Sequence, residues 1–212
     1  MIWLFNNIDT VLGDLGWHLL LALPPIVLSL LIATPVGWLV HRRRMARGLV
    51  VSGVALLYAI PSLPLFIILP LIIGTGLRSP LNIIIALTLY GLALMVRSAA
   101  AAFSAIDPST LDASIATGHN RGQHFWAVQL PLAGPALLAG LRVVAVSTVS
   151  LVTVGGVLGA AGLGRQFVDG FQRGIVAEVG TGIVLTLLLA LALDGLLVLL
   201  GRVLMPWQER RS

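Results

Sequence analysis

Side chains that could do chemistry are few in this 212-residue sequence, and a group of them lies in one segment. DASIATGHNRGQHFWAVQLP, residues 112–131, holds Asp, Asn, Arg, Gln and two histidines in a chain of which only 10% is charged. His119 and His124 are five residues apart, and no Cys, Asp or Glu lies at metal-ligand spacing beside them. The segment therefore predicts neither a metal site nor a catalytic residue set.

The rest of the sequence excludes several other kinds of chemistry. All 13 basic residues are Arg, and the absence of Lys excludes a P-loop for ATP. Cysteine is absent, so no disulfide or Cys-based metal site is expected. The apolar segments offer Ser and Thr but neither a buried His pair nor an HExxH motif, which argues against an intramembrane enzyme. No basic stripe on a soluble domain predicts nucleic-acid binding. We expect no catalytic residue, metal or cofactor in this chain.

The composition places the chain in a membrane. The hydrophobic fraction is 58% and the mean hydropathy is +1.03, more apolar surface than a soluble domain of this length can bury. Five segments are long and apolar enough to span a bilayer. The sequence predicts an all-α polytopic protein forming one domain, residues 1–212, with spans at about 17–40, 50–73, 81–103, 134–158 and 181–204.

Arginine distribution predicts the orientation of these spans. The loop at 41–47 carries four arginines, so the positive-inside rule makes it cytoplasmic. The N-terminus, with Asp9 and Asp14, is then outside, and both the 104–131 segment and the C-terminal residues 208–211 are inside. Trp17 and Trp38 bracket the first span as an aromatic belt would. Five spans without an internal inverted repeat argue against a stand-alone channel or secondary transporter.

Local signals divide the polar segment into two short helices. Asp107-Pro108 is a helix start, and Ser109 to Asp112 fits a capping box with Asp in place of Glu. Gly118 is placed to end the first helix, and Asn120 to cap a second one that stops at Leu130-Pro131. These signals alone are equally compatible with an amphipathic hairpin that rests on lipid headgroups.

The spacing within this segment resembles a known motif. Asp112-Ala113-Ser114, three residues, Gly118, nine residues, then Val128-Gln129-Leu130-Pro131 is similar to the EAA motif of ABC importer permeases, which reads E-A-A, three residues, G, nine residues, I-x-L-P. Asp replaces Glu, Ser replaces the second Ala and Val replaces Ile.

Further stretches resemble permeases for glycine betaine, carnitine and choline in particular. Residues 58–64, Tyr-Ala-Ile-Pro-Ser-Leu-Pro, are similar to their T-I-P-S-L stretch, and the span from Tyr90 to Ile106 is similar to their L-Y-x-L-L-P-I-V-R-N span. Residues 139–142 and 159–164 resemble their A-G-I-R and I-G-A-G-G-L-G stretches. The likeness covers roughly residues 20–200. Gly122 departs from it, since an aromatic residue is common there.

This resemblance implies a type I ABC importer permease in a bacterial cytoplasmic membrane. The expected partners are an ATP-binding subunit in two copies, which holds ATP and Mg, a second identical or homologous permease, and an extracytoplasmic substrate-binding protein. The loop at about 107–131 is then the coupling helix that seats on the ATPase. The residues expected to couple it are Asp112, Ala113, Ser114, Gly118, Arg121, Leu130 and Pro131. Asp112 either pairs across that interface or caps its own helix.

The substrate and its pathway are less closely specified. Quaternary-ammonium osmoprotectants are the leading expectation, and methionine or another amino acid is the alternative. Prolines at 61 and 64 free backbone carbonyls in the second span, so Tyr58, Pro61 and Ser62 are expected to line a pathway. The alternatives are a simple packing kink and, for Tyr58, an interfacial anchor.

Three other polar features carry expectations. Asp194 lies within the fifth span and needs a partner, either Arg97, Arg142 or solvent in a cavity. His18 is expected at the membrane interface. The segment 159–180 is too broken and polar to span, so it should form an outer loop or short helix where the binding protein docks.

Overall fold

The computed structural model describes residues 2–42, 44–76 and 78–207, and all regular structure in this part of the chain is helical. In addition to the α-helices, a π-helical turn covers His124–Gln129 and a 3-10 turn covers Gly156–Leu158. The helices are α1 (Ile2–Asn6), α2 (Ile8–Arg42), α3 (Arg44–Ala59), α4 (Ser62–Ile73), α5 (Pro80–Ser104), α6 (Pro108–Ala116), α7 (Arg121–Gln123), α8 (Leu130–Gly155), α9 (Gly164–Arg173) and α10 (Val176–Leu204).

The predicted membrane spans are present, with one important difference. Within the described residues, four helical segments are long and apolar enough to cross a bilayer, and the bent pair of α3 and α4 raises the number to five. The difference concerns the predicted second span, 50–73, where α3 and α4 meet at 103°, a larger bend than the simple kink considered from its prolines. The break falls at Ile60-Pro61, where Pro61 has extended dihedrals and no N–H to continue the ladder.

The core is built around α5, which packs on both α2 and α8. Small residues let the backbones approach: a Cβ on Gly37 of α2 would lie 2.5 Å from the Ala99 Cβ of α5. Ser29 of α2 occupies the space beside Gly91 of α5 in the same way. Phe103 is fully buried near the end of α5. Such close contact suits a membrane, where helices associate by packing rather than by the hydrophobic effect.

The last helix, α10, is mostly exposed, in contrast to the buried α5. None of its most apolar 18-residue window is buried, and Leu187, Leu191 and Leu199 are each more than half exposed. A helix with leucines exposed around its circumference is stable in lipid rather than in water. It packs on α8 and α9 and forms one flank of the protein.

The two ends of α2 mark the two ends of the molecule. Near its C-terminus, His41 hydrogen-bonds Ser104 and Trp38 hydrogen-bonds Gln129, so the 105–131 segment lies at that end. Near its N-terminus, Asp14 accepts a hydrogen bond from Gln166 of α9. The segment 159–175 therefore lies at the opposite end, as the predicted topology requires. Arg43, the side chains of Arg44 and Arg47, and residues 208–212 lie outside the described residues.

Labelling of introduced cysteines tests which end faces the cytoplasm. The chain has no native Cys, and Ser109 and Gln172 are both exposed, one at each end. In intact cells, we expect a membrane-impermeant maleimide to label Gln172→Cys but not Ser109→Cys. Permeabilised cells should label both and serve as the control. Labelling of Ser109→Cys from outside would show that the arginine asymmetry has been misinterpreted.

Candidate functional site

The first short helix of the polar segment begins and ends where local signals place it. Asp107 is the N-cap of α6, its carboxylate accepts a hydrogen bond from the Ser109 amide at 2.8 Å, and Pro108 is the first helical residue. Hydrogen bonds from Ser109 lower the pKa of Asp107, so this cap is present at neutral pH and is lost only as the pH falls through that lowered pKa. Gly118, with φ +85°, ends the helix. The expected capping box of Ser109 and Asp112 was wrong, because the helix starts two residues earlier.

The second short helix does not stop at Pro131, contrary to the prediction. Asn120 caps α7 with a reciprocal capping box to Gln123, as the sequence indicates. The helix then continues through the π-helical turn into α8, and Pro131 lies in the first turn of α8. The amide of Leu130 donates to the carbonyl of Phe125, five residues back. This wider turn carries the chain past the proline without a break.

The predicted coupling residues separate into an exposed and a buried set. Asp112, Ala113 and Arg121 are exposed, and the Asp112 carboxylate makes no ion pair or hydrogen bond with any described residue. Ser114 is buried, and its hydroxyl lies 2.5 Å from Nδ1 of His124. The exposed set is available to a partner, whereas Ser114 holds α6 against the π-helical turn.

Leu130 and Pro131 lie where this turn joins the membrane helix. Leu130 packs against the core, and beside it the buried Gln129 accepts a hydrogen bond from the Trp38 indole N–H at 2.5 Å. The Trp38 ring contacts Phe125 edge to face, with ring centroids 5.1 Å apart. Sequence reasoning missed this group, because Gln129 fills the variable position of I-x-L-P and Trp38 resembled an interfacial anchor.

The three predicted pathway residues lie together at the break between α3 and α4. Tyr58, Pro61 and Ser62 line a cavity of about 230 Å³. Its other lining residues are Ala59, Ile60, Tyr90 and Leu151. None of the seven is charged; two are tyrosines and one is a serine.

Tyr90 is the member of this cavity that the sequence reasoning did not select. Its hydroxyl donates a hydrogen bond to the carbonyl of Ile60, and its ring meets Tyr58 nearly perpendicularly with centroids 5.9 Å apart. Pro64 lacks the N–H that would otherwise bond the Ile60 carbonyl. Tyr90 therefore satisfies a polar group that the proline frees, and the sequence carries no signal that pairs these two residues.

The charge within the last span has a protein partner. Asp194 accepts two hydrogen bonds from Arg142, from Nε and Nη2, each at 2.7 Å. Of the two arginines considered from the sequence, Arg142 is the partner because α8 packs on α10. Arg97 is exposed on α5 and pairs with no described acidic residue.

A buried polar group at the opposite end ties α9 to α2. His18 is fully buried within the protein; its Nε2 lies 3.0 Å from the Val149 carbonyl, and its Nδ1 lies 3.3 Å from the Leu163 amide. Asp14 accepts from Gln166 at 2.8 Å and lies 3.5 Å from the Arg165 guanidinium. The expected short helix in 159–180 is thus α9, fixed by side chains that the sequence alone did not connect.

Comparison with known proteins decides the family. Residues 25–211 match the family model of the binding-protein-dependent transport system inner membrane component. The chain belongs to this family. It is 32% identical to the osmoprotectant import permease protein OsmW of Salmonella typhimurium, covering 89% of each chain. It is also 30% identical to the glycine betaine/carnitine/choline transport system permease protein OpuCD of Bacillus subtilis, over 98% of this chain and 90% of that protein.

The fold agrees with this membership. The structure is similar to a chain of the inward-facing MetNI methionine ABC transporter, with a TM-score of 0.80 and 23% identity over 92% of this chain and 96% of that one. The predicted type I ABC importer permease fold is therefore confirmed. The chain is an integral membrane permease. Members of its family are not themselves enzymes.

Proposed function

We propose that this chain is the permease subunit of an ATP-driven importer for quaternary-ammonium osmoprotectants such as glycine betaine, choline, carnitine and proline betaine. It forms the translocation pathway in a bacterial cytoplasmic membrane. The observation that carries the substrate class is the uncharged cavity lined by Tyr58 and Tyr90. The substrates named for OsmW and OpuCD, which are similar over most of the chain, support the same class.

The chemistry of the cavity suits a quaternary ammonium passing through. Such a cation has no N–H to donate, so carboxylates would hold it by charge alone, and strongly. Aromatic faces attract it with roughly 0.5–2 kcal/mol each, enough to favour entry without trapping it.

The second candidate, methionine or another amino acid, is less well supported. Glycine betaine and carnitine carry a carboxylate as a free amino acid does, so the difference lies in the ammonium group. The ammonium of an amino acid has N–H donors, for which a carboxylate is a strong partner. None of the lining residues described above is an Asp or Glu. The likeness to the methionine transporter is at 23% identity and concerns the fold.

The assembly we propose follows from the chain's surface and its exposed loop. A separate ATPase, present in two copies with ATP and Mg, seats on α6, whose exposed face offers Asp112, Ala113 and Ile115. A second permease, identical or homologous, completes the pathway. An extracytoplasmic binding protein delivers the solute to the end formed by α9. The chain contacts membrane lipid along α10 and does not bind nucleic acid.

Replacing Tyr58 tests the substrate assignment. In proteoliposomes holding the complete transporter, Tyr58→Ala should slow uptake of radiolabelled glycine betaine or choline by about tenfold, which corresponds to loss of one cation–π contact. Tyr58→Phe keeps the ring and should stay within about twofold of the parent.

Leu71→Ala is the matched control, since Leu71 is a large exposed side chain on α4, away from the break. It should leave uptake unchanged. Import of methionine but not of glycine betaine or choline by the parent would show that the substrate is an amino acid rather than a quaternary ammonium. Equal uptake by Tyr58→Ala and the parent would remove Tyr58 from the pathway.

A further inference from the structure

The π-helical turn, His124–Gln129, connects the exposed loop to the membrane helices through two hydrogen bonds. At its start, the buried His124 is bonded to Ser114 of α6. At its end, the buried Gln129 accepts from Trp38 of α2 at 2.5 Å. The turn runs directly into α8. Three separate helices, α6, α8 and α2, are therefore joined within six residues.

Aromatic packing holds the middle of the same turn. Phe125 lies between Trp38 of α2 and Phe103 of α5, with ring centroids 5.1 Å and 6.1 Å away. The Arg42 guanidinium stacks on the Trp38 ring at 4.4 Å from its centroid. The last turn of α2 is thus fixed to the beginning of α8 by an indole hydrogen bond and ring contacts together.

The wider turn has a geometric consequence for these contacts. A π-helical turn accommodates one more residue than an α-helical turn, and each residue of an α-helix advances by about 100°. Without the extra residue, side chains before the turn would rotate relative to α8 by that amount. His124 would then no longer face α6 while Gln129 faces α2.

We propose that His124, Gln129 and Trp38 are positioning residues that form the joint by which movement of α6 reaches the membrane helices. This inference rests on the proposed role of α6 as the contact with the ATPase. When the ATPase displaces α6, the bond from Ser114 to His124 carries the displacement to the π-helical turn. The bond from Trp38 to Gln129 makes α2 follow α8, so that the two helices move as one body.

A purely structural role predicts something different. If these bonds only stabilised the loop, their removal would lower the amount of assembled complex, and the complex that remained would be fully coupled. A joint predicts normal assembly and ATP hydrolysis together with less transport per ATP hydrolysed. The ratio of transport to hydrolysis therefore separates the two roles.

The experiment uses the complete transporter in proteoliposomes with two readouts, glycine betaine uptake per ATP and a substrate-independent labelling assay. For the labelling assay, Ser62→Cys is introduced into the cysteine-free chain, at the cavity between α3 and α4. Trapping with ATP and vanadate should change its maleimide labelling rate in the parent. His124→Ala should reduce both that change and uptake per ATP by about tenfold, as loss of one buried hydrogen bond permits. ATP hydrolysis should stay within about twofold of the parent.

Conservative and matched variants complete the test. His124→Asn places an amide near the Nδ1 position and should couple like the parent, whereas Trp38→Phe puts a smaller aromatic ring without an N–H donor in place of the indole and should uncouple. Ser114→Ala combined with His124→Ala should be no worse than His124→Ala alone. His119→Asn is the control, since His119 is exposed and its side chain bonds, among the described residues, only Ser114 and Thr117 nearby in the chain.

Each outcome has one interpretation. Parent-like coupling in His124→Ala and Trp38→Phe, with the parent itself coupled, overturns the joint and leaves the proposed function intact. A parent that labels differently with ATP but imports no glycine betaine overturns the substrate class and leaves the joint to be judged by labelling. A parent that shows neither the ATP-dependent change in labelling nor glycine betaine import overturns both the joint and the substrate class. If His124→Ala does not assemble, Trp38→Phe decides the question, because it removes the indole donor and keeps an aromatic side chain at the position.

Discussion

Gly118→Val is expected to reduce solute uptake by the assembled transporter by at least about tenfold, while the chain still inserts into the membrane. Gly118 has φ +85°, a conformation that costs a residue with a Cβ about 1–2 kcal/mol and a β-branched residue more. In this turn, the Gly118 amide donates a hydrogen bond to the Ile115 carbonyl at 2.9 Å, and the His119 amide donates one to the Ser114 carbonyl at 3.4 Å. Valine would change the angle between α6 and the π-helical turn.

The surroundings of Gly118 make this a test of backbone conformation alone. No atom lies within 4 Å of the position of a Cβ, so the substitution causes no steric clash with the rest of the loop. Gly118→Asn should retain most uptake, because Asn tolerates the left-handed region. The matched control is Gly122→Val, in a helical turn where an added Cβ meets only Asn120 Oδ1 at 3.5 Å. Uptake by Gly118→Val equal to that of the parent would mean that the loop does not transmit movement.

Arg142→Leu is expected to give the second large effect, a loss of folded protein from the membrane of roughly tenfold. It leaves the Asp194 carboxylate in an apolar helix without the two hydrogen bonds that Arg142 provides. An unpaired charge within a span is costly, and truncating one partner of such a pair leaves the other without compensation. The amount of monodisperse protein after detergent extraction, and its melting temperature, measure the effect.

Removing both charges should restore the amount of folded protein in the membrane. Arg142→Leu combined with Asp194→Leu replaces the pair by apolar side chains and should recover most of the lost abundance. Arg202→Leu is the matched control, because Arg202 lies in the last turn of α10, is exposed and pairs with no described acidic residue. Normal abundance and melting temperature of Arg142→Leu would show that solvent, rather than Arg142, stabilises Asp194.

The local structure of the exposed loop could be predicted from short stretches of sequence. Asp107-Pro108 begins α6, Gly118 ends it, and Asn120 caps α7. Each signal works within four residues, through a hydrogen bond or a backbone dihedral, so it needs no distant partner. The misplaced capping box shows the limit of this approach, since Ser109 and Asp107 are both good N-caps and the start at Asp107 gains the preference of proline for the first turn.

The path of the chain through Pro131 could not be predicted in the same way. A proline after a short polar helix normally indicates a helix end. Here the π-helical turn is held by contacts with α6 and α2, through Ser114 and Trp38, which are distant in sequence or in another helix. Tertiary contacts therefore override a reliable local signal at this position.

The sequence by itself determined that the chain is a helical membrane protein with about five spans, and it located the polar loop and the proline break for which we propose a function. Hydropathy and proline act on each segment independently of the fold, because lipid and backbone hydrogen bonding impose the same requirement everywhere. Only the tertiary structure decided which side chains meet: Arg142 rather than Arg97 with Asp194, Tyr90 with the Ile60 carbonyl, and Trp38 with Gln129. These pairings depend on the rotation and crossing of packed helices, which the spacing of residues along one helix does not specify.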